Sequence, residues 1–351
     1  MKPKKKKKRQ FRQAFARTLQ RLTKKKDGNA SFSGPLNSVA ILAQEKLGDS
    51  VLLTPLLRNL RKAFPKLEIH IIAFSQASAR FFLSDPDVTA VHLAKKGLLR
   101  YRKEVLSRRF DLLFNTKDHP STQFLLHSAL IPARFKVGHR NEFHEGLFDR
   151  LIDQEFHSHM VFKNCALLAL LGIHPTEAQC RPTLPPMPVT DALKKFLAQI
   201  ENSGPIGINI SAGEANRTWP EEKWTALPGR FPQYHFVVLS GPEDLEQKQR
   251  IESNCSNVIP SPSTQNLYEA GLIVGALRLL VTPDTSLIHV ASGSGTPVVG
   301  LYREAPQDIS RFGPFAIPCE LVISASGEVG DIESESVTLA MEKLLHTIER
   351  Q

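Results

Sequence analysis

The sequence predicts an α/β protein made of two open, parallel-sheet domains that face a cleft, preceded by a basic N-terminal extension. Three observations predict it. From residue 38 onward, short β-rich apolar runs alternate with helix-periodic stretches, the grammar of βα units packed on both faces of a parallel sheet. The alternation halts at "RPTLPPMPVT" (181–190), where four prolines mark an extended linker, and then begins again. A chain of 351 residues with 41% apolar content is long enough to bury two cores.

The extension, residues 1–34, is the charged part of the chain. Residues 1–26 hold nine lysines, four arginines and no acid, whereas the remainder carries 32 basic against 35 acidic residues. No apolar region follows "KPKKKKKR", which excludes a secretory signal, and no apolar run reaches the roughly eighteen residues that would cross a bilayer. Phe11, Phe15, Leu19 and Leu22 fall at helical spacing, with Arg12, Arg17 and Arg21 on their flanks and three lysines at 24–26. This pattern suits a helix lying on an anionic lipid surface, at roughly 1 kcal/mol per basic residue near the headgroups. A disordered, solubilising or nucleic-acid-attracting tail is the other reading; the apolar stripe, which needs a partner, favours the membrane.

The first domain, residues 35–185, takes its strands from "SVAILAQ", "EIHIIAF", "TAVHLA", "FDLLFNT" and "RFKVGH", with helices over 53–63, 76–83, 98–108, 121–130 and 160–171. The second, residues 186–351, takes its strands from "PIGINIS", "YHFVVLS", "NVI", "LRLLVT" and "PVVGLY". Its helices are expected over 221–227, 243–253, 267–275 and 285–292, with a closing helix over 336–350. In such sheets ligands bind beyond the carboxyl ends of the strands, so the loops that follow strands are where chemistry is sought.

Three loops stand out. In "KLGDSVLLTP", Asp49 follows the first strand and opens a helix; it is either an N-cap, accepting amide hydrogen bonds, or a general base for an attacking hydroxyl. In "NISAGEANRTWPEEKW", a Ser/Gly-containing loop leads to Arg217, either a surface cation or a fork of donors for a diphosphate. Trp219 and Trp224 read as packing groups. In "VTPDTSLIHVASGSGTPVVGLY", Pro283-Asp284-Thr285-Ser286 precedes a helix carrying His289, and the helix N-terminus suits an anion. Asp284 as a cap and His289 as a buried imidazole are the competing readings.

Four separated cysteines with no CxxC pair fit a reducing, cytoplasmic setting. His139 and His144 beside Glu142 and Glu145, and His157 with His159, match no metal spacing, so neither a metal nor a cofactor is expected.

"LGDSVLLTPLLRNLRKAFP", "WPEEKW", "LSGPED" and "VTPDTSLIHVASGSGTPVVGLY", in that order, resemble the ADP-heptose:lipopolysaccharide heptosyltransferases, a family of inverting glycosyltransferases with two Rossmann-like domains in the GT-B arrangement. The resemblance runs from about residue 38 to residue 303. It implies that Asp49 is the catalytic base. Arg217 stands where lysine is common at the donor diphosphate, and Asp284 holds sugar hydroxyls. Thr285 and His289 line the donor pocket, with Ser211 and Gly213 in its phosphate loop. "LYREAP" has no glycine after its aromatic, a departure from the family pattern, as is Ser286 after Asp-Thr.

The implied partners are a nucleotide-sugar such as ADP-heptose, a lipid-linked glycan acceptor and an anionic membrane reached through residues 1–26; Lys117, Arg134 and Arg140, on the expected acceptor face, either meet acidic groups of that acceptor or belong to a solvated surface. No specific nucleic acid is expected. The implied location is cytoplasmic, peripheral to the inner membrane. A catalytically silent nucleotide-sugar-binding protein of the same fold, or a transferase using another donor, stands as the alternative.

Overall fold

The computed structural model describes residues 3–22, 26–94, 98–201 and 203–350. The chain forms two compact units, Met1–Cys180 and Arg181–Gln351.

In the first unit, strands β1 (Ser38–Ala43), β2 (Glu68–Ala73), β3 (Ala90–Leu93), β4 (Phe110–Asn115), β5 (Ala133–His139) and β6 (Arg150–Ile152) form one sheet in the order β3-β2-β1-β4-β5-β6. Every pairing is parallel. β1 is buried along its whole length, as a central strand covered on both faces requires, which is why it reads as an unbroken apolar run. Helices Thr54–Ala63, Gln76–Leu83, Thr122–Leu130 and Met160–Leu170 lie within a residue of the expected positions. The stretch expected as a helix over 98–108 begins as α-helix (Leu98–Tyr101) and loosens into a π-helical turn (Arg102–Leu106).

In the second unit, β7 (Ile206–Asn209), β8 (Phe236–Leu239), β9 (Leu279–Pro283), β10 (Val298–Arg303) and β11 (Cys319–Ser324) pair in the order β11-β10-β9-β7-β8, again all parallel. The strand expected at "NVI" is reduced to one bridge, Phe236 to Val258. Pro260 has no N–H to extend the ladder, and the Ser261 N–H is taken by Glu252. Two strands escaped the sequence pattern, β6 because it is three residues long and β11 because it lies at the sheet edge and is only partly buried. Helix Asp191–Ile200 was also missed. It starts directly after the proline linker, capped by the Thr190 hydroxyl, and buries Leu193, Phe196 and Ile200.

Trp219 and Trp224 are packing groups, fully buried and edge-to-face at 4.7 Å in the core beneath β7, with the Trp219 indole N–H donating to the Ile332 carbonyl. Helix Ser286–Ser294 begins at the Thr285 cap and ends at Gly295, whose φ of 80° is the left-handed conformation that glycine adopts without strain.

The basic extension contributes a helix, Pro3–Leu22. Its apolar stripe finds a partner inside the unit: Ala16 and Leu19 are buried, with Phe15 beside them, against Leu125, Phe143, Phe148 and Leu151. Arg9 pairs with Glu142 at 3.0 Å. Phe11 stays 63% exposed. The Leu22 side chain and residues 23–25 lie outside the described residues.

Between β2 and β3 the buried imidazoles of His70 and His92 stack and share a hydrogen bond of 2.9 Å, and His92 meets Glu104 at 3.2 Å. Burial, with His92 as a further cause, pushes His70 down to about 4. The unfolded chain takes up this proton near the ordinary value of 6.5, the folded chain only near 4, so acid favours unfolding. Stability from His70 is therefore complete above pH 6.5 and is lost as pH falls from there toward 4. Urea unfolding across that range is expected to show a falling midpoint, flattened in His70→Gln; a midpoint equally steep in the variant would refute this assignment.

Candidate active site

The sheet orders define where a site can form. In the first unit the chain moves outward from β1 in both directions, so the order reverses between β1 and β4; in the second it reverses between β7 and β9. Helices that cover opposite faces leave a crevice at such a point, beyond the carboxyl ends of the strands.

Asp49 lies just past β1, in the first turn of the short helix Leu47–Val51. It is not a cap: the helix has no side-chain cap hydrogen bond, and among the described residues no donor or cation stands within bonding distance of its carboxylate. Its carboxylate instead lines a narrow hollow with Gln44, Leu52, Leu53, Thr116, Met160 and Asn164. Burial pushes Asp49 above the usual carboxylate range, against the pull of the Lys117 and Lys46 charges.

Lys117 comes from the loop after β4, on the far side of the reversal. Its ammonium bonds Gln44 Oε1 and Glu45 Oε2, each at 3.0 Å, and lies 5.2 Å from the Phe124 ring centre. It is buried, so it serves as an internal cation near Asp49 rather than as a surface contact for acceptor acids. Burial acts to raise Glu45, but the Lys117 charge and hydrogen bond outweigh it and hold Glu45 below its ordinary value.

The other two expected acceptor arginines are not brought to this crevice together. Arg134 lies near the amino end of β5, bonded to the Pro35 carbonyl and over the Phe32 ring, at the opposite edge of the sheet from Asp49. Its fixed place between backbone and ring makes it a structural residue. Arg140 follows the carboxyl end of β5 but is held by Asp153 at 3.2 Å and Glu145 at 3.3 Å, in a separate pocket with Asn29, Arg150 and Leu170.

Asn164 was not found from the sequence. Its amide donates to the Leu52 carbonyl at 2.8 Å, which fixes the side-chain orientation, and its buried Oδ1 has no hydrogen-bond partner among the described residues. The available signal was an asparagine inside the apolar helix "MVFKNCALLAL", where a buried amide needs a reason.

The second unit gathers most of the expected donor residues at its own reversal. Asn209, at the end of β7, donates to the hydroxyl of Thr282 at 2.9 Å and to that of Thr285 at 3.3 Å, tying the two loops together. Arg217 reaches across to Asp284, with 2.8 Å to the carboxylate and 3.0 Å to the backbone carbonyl. Asp284 is thus an ion-pair partner, and Thr285 supplies the helix cap. Gly213 has open space where a Cβ would stand. Ser211 is committed within the protein, donating to Asp244 and accepting from the Gly241 N–H at 2.6 Å. His289 lies one turn into the helix, buried. Arg303, Glu214 and Asp308 join Arg217 in this cluster. Arg303, in "LYREAP", was not among the expected donor residues.

The arrangement provides an unbonded carboxylate at one crevice and a cation with a helix N-terminus at the other, which suits proton removal from a hydroxyl and retention of an anionic leaving group. The sequence pattern of glycosyltransferase family 9 (heptosyltransferase) matches residues 98–337, and that of a family of unknown function (DUF6913) matches residues 7–168. The lipopolysaccharide core heptosyltransferase OpsX of Haemophilus influenzae is 24% identical over 287 residues, 77% of this chain and 80% of that protein. Among solved structures, a family 9 glycosyl transferase from Veillonella parvula aligns with a TM-score of 0.67 at 18% identity, over 93% of this chain and 100% of its own. The Escherichia coli heptosyltransferase WaaC with ADP aligns with a TM-score of 0.65 at 16% identity, over 90% and 100%.

Both members of the Arg217–Asp284 pair are mostly buried, at 15% and 13% side-chain exposure. Arg217→Met is expected to lower unfolding stability by about 1–3 kcal/mol, as loss of a charge-assisted bond does. Denaturant titration checks it, and an unchanged midpoint would show that the pair contributes nothing to the fold.

Proposed function

The chain belongs to glycosyltransferase family 9, and we propose that within it the chain transfers a heptose from ADP-heptose to the core of a lipopolysaccharide or a related lipid-linked glycan. One observation carries the reading: Asp49 stands at the reversal of the first sheet, and among the described residues its carboxylate has no hydrogen-bond partner. An aspartate that caps its helix is committed, whereas this one is available to a substrate.

In the proposed mechanism the acceptor hydroxyl gives its proton to Asp49 and attacks the anomeric carbon on the side opposite the diphosphate. The new C–O bond forms as the bond to the β-phosphate oxygen breaks, so ADP departs with the electron pair and the anomeric configuration inverts. A raised carboxylate pKa strengthens the base. Arg217, with the amides at the start of Ser286–Ser294, receives the developing negative charge on the diphosphate, the kind of preorganised stabilisation that often contributes most to rate. No metal or cofactor enters the proposed steps. Asp284 orients the Arg217 guanidinium and remains close enough to the same loop to accept from sugar hydroxyls.

The proposed setting is the cytoplasmic face of the inner membrane, where such an acceptor is anchored. Among the described residues no helix is long and apolar enough to cross a membrane. The support for peripheral docking is the extension: Phe11, Arg17 and Arg21 are exposed on a helix whose first turns carry the lysines at 4–8.

Two measurements test these readings. Asp49→Asn is expected to cut transfer by about a hundredfold or more, the usual size of a general-base contribution, while leaving ADP affinity unchanged; undiminished transfer would remove Asp49 from the mechanism. In the intact enzyme, activity is expected to fall on the acid side at a pH above the ordinary aspartate value, because burial raises Asp49. For docking, the full chain is expected to sediment with phosphatidylglycerol vesicles but not phosphatidylcholine vesicles. Replacing Phe11 by Ser together with Arg17 and Arg21 by Gln weakens that binding. Equal sedimentation with both lipids rules out the electrostatic anchor.

A further inference from the structure

Five charged side chains meet where β7 and β9 part: Arg217, Arg303, Glu214, Asp284 and Asp308. Arg217 has a close carboxylate in Asp284, at 2.8 Å. Arg303 stands 3.2 Å from Asp308 and 3.9 Å from Glu214. Arg217 stands 4.0 Å and 3.9 Å from the same two carboxylates. Glu214 and Asp308 are therefore shared between two guanidiniums, and three of these four contacts are longer than a hydrogen bond. The Nε of each arginine is buried with no acceptor among the described residues. A guanidinium presents five donors in a planar fork, so both arginines are held in place with much of that capacity unused.

The backbone explains the meeting. Arg303 is the last residue of β10, which pairs with β9 on one side, while Arg217 follows β7, which pairs with β9 on the other. Helix Ser286–Ser294 starts just after β9, between them. An anion at that N-terminus would thus have one guanidinium on each flank.

Resting on the donor reading above, we propose that Arg303 is the second cation of the nucleoside-diphosphate site, and that Glu214 and Asp308 are placeholders which a diphosphate displaces. A placeholder must be easy to remove. Glu214 and Asp308 are 48% and 36% exposed at the side chain, and ion pairs so open to water contribute little. Asp284 is nearly enclosed and stays with Arg217. The incoming diphosphate offers oxygens on two phosphorus atoms, one group for each fork, and those charge-assisted bidentate contacts outweigh the loose pairs they replace. The cluster carries three carboxylates against two guanidiniums, so the two exposed carboxylates have to turn outward for a dianion to bind. Their charge therefore opposes the ligand.

Calorimetric titration of the full-length protein with ADP and with AMP, at low salt, tests this. Arg303→Met is expected to weaken ADP about tenfold, equivalent to about 1.4 kcal/mol, with a much smaller effect on AMP, whose single phosphate needs one fork. Arg303→Lys, which keeps the charge without the fork, recovers only part of the loss. Asp308→Asn removes a competitor and is expected to tighten ADP binding, and it carries the test should Arg303→Met fail to fold. Wild-type ADP affinity in Arg303→Met, equal losses for ADP and AMP, or weaker ADP binding in Asp308→Asn would each overturn the proposal. A wild-type protein that does not bind ADP would instead remove the donor reading on which it rests.

Discussion

The constraint on which the rest depends is the point in each parallel sheet where the strand order reverses. Right-handed crossovers from a central strand put one set of helices on one face and the next set on the other, so the loops leaving the two strands at the reversal diverge. β1 and β4 diverge in this way in the first unit, and β7 and β9 in the second. Residues far apart in sequence are thereby delivered to one place without any long-range recognition between them. Arg217 and Asp284, 67 positions apart, meet because each lies in the segment that leaves its own strand. Lys117 reaches Gln44 and Glu45 for the same reason.

The two crevices treat charge in opposite ways, and the difference matches what each group would do under the proposed mechanism. At the first, the acid has no hydrogen bond among the described residues, and the neighbouring cation is tied to other acceptors. Lys117 bonds Gln44 and Glu45, so it acts on Asp49 through space and tempers the burial that raises it. A direct Lys117–Asp49 contact would quench the carboxylate as a base. At the second crevice the charges are paired with each other, because a guanidinium with no anion nearby would be costly to hold in a largely enclosed loop. Such pairing keeps the cation in position while a ligand is absent. The Tyr302 hydroxyl beneath it illustrates the enclosure: burial first, then the Asp284 charge, pushes its pKa well up.

What the sequence made legible was what local pattern encodes. Strands β1, β2, β4 and β10 are buried apolar runs, and Asp49, Arg217, Asp284 and Thr285 each lie between the end of a strand and the first turn of a following helix, so their places could be read from the order of elements. The same logic picked Lys117, but the pattern could not distinguish a buried ammonium from a solvated one, since that depends on Gln44 and Glu45 arriving beside it. Arg134 shows the converse. It looked like a free cation, yet its place at the amino end of β5 turns it toward Pro35 and away from the loops. Asn164 stood out only as a polar residue in an apolar helix; what it does depends on Leu52 and Asp49 arriving from elsewhere, which no local pattern shows. Arg303 belongs to the same class, being the last residue of a strand whose neighbours decide what it meets.

The N-terminal helix shows how far an amphipathic pattern can be pressed. A stripe of apolar residues beside lysines and arginines needs a partner, and for Phe15 and Leu19 that partner is the protein itself. Ala16 and Leu19 insert beside Leu125 and Phe148, while Phe11, two turns nearer the start, remains outside. One stripe is thus divided between two surroundings along its length. The docked half fixes the helix to helix Thr122–Leu130 and the residues around 143–151, so any surface that captures the exposed half captures the first unit in a defined orientation rather than on a loose tether. Under the proposed membrane setting this distinction matters more than affinity. A flexible basic tail would raise the local concentration of enzyme near an anchored acceptor, but a helix packed on the unit that carries Asp49 would also restrict how that carboxylate is presented to it.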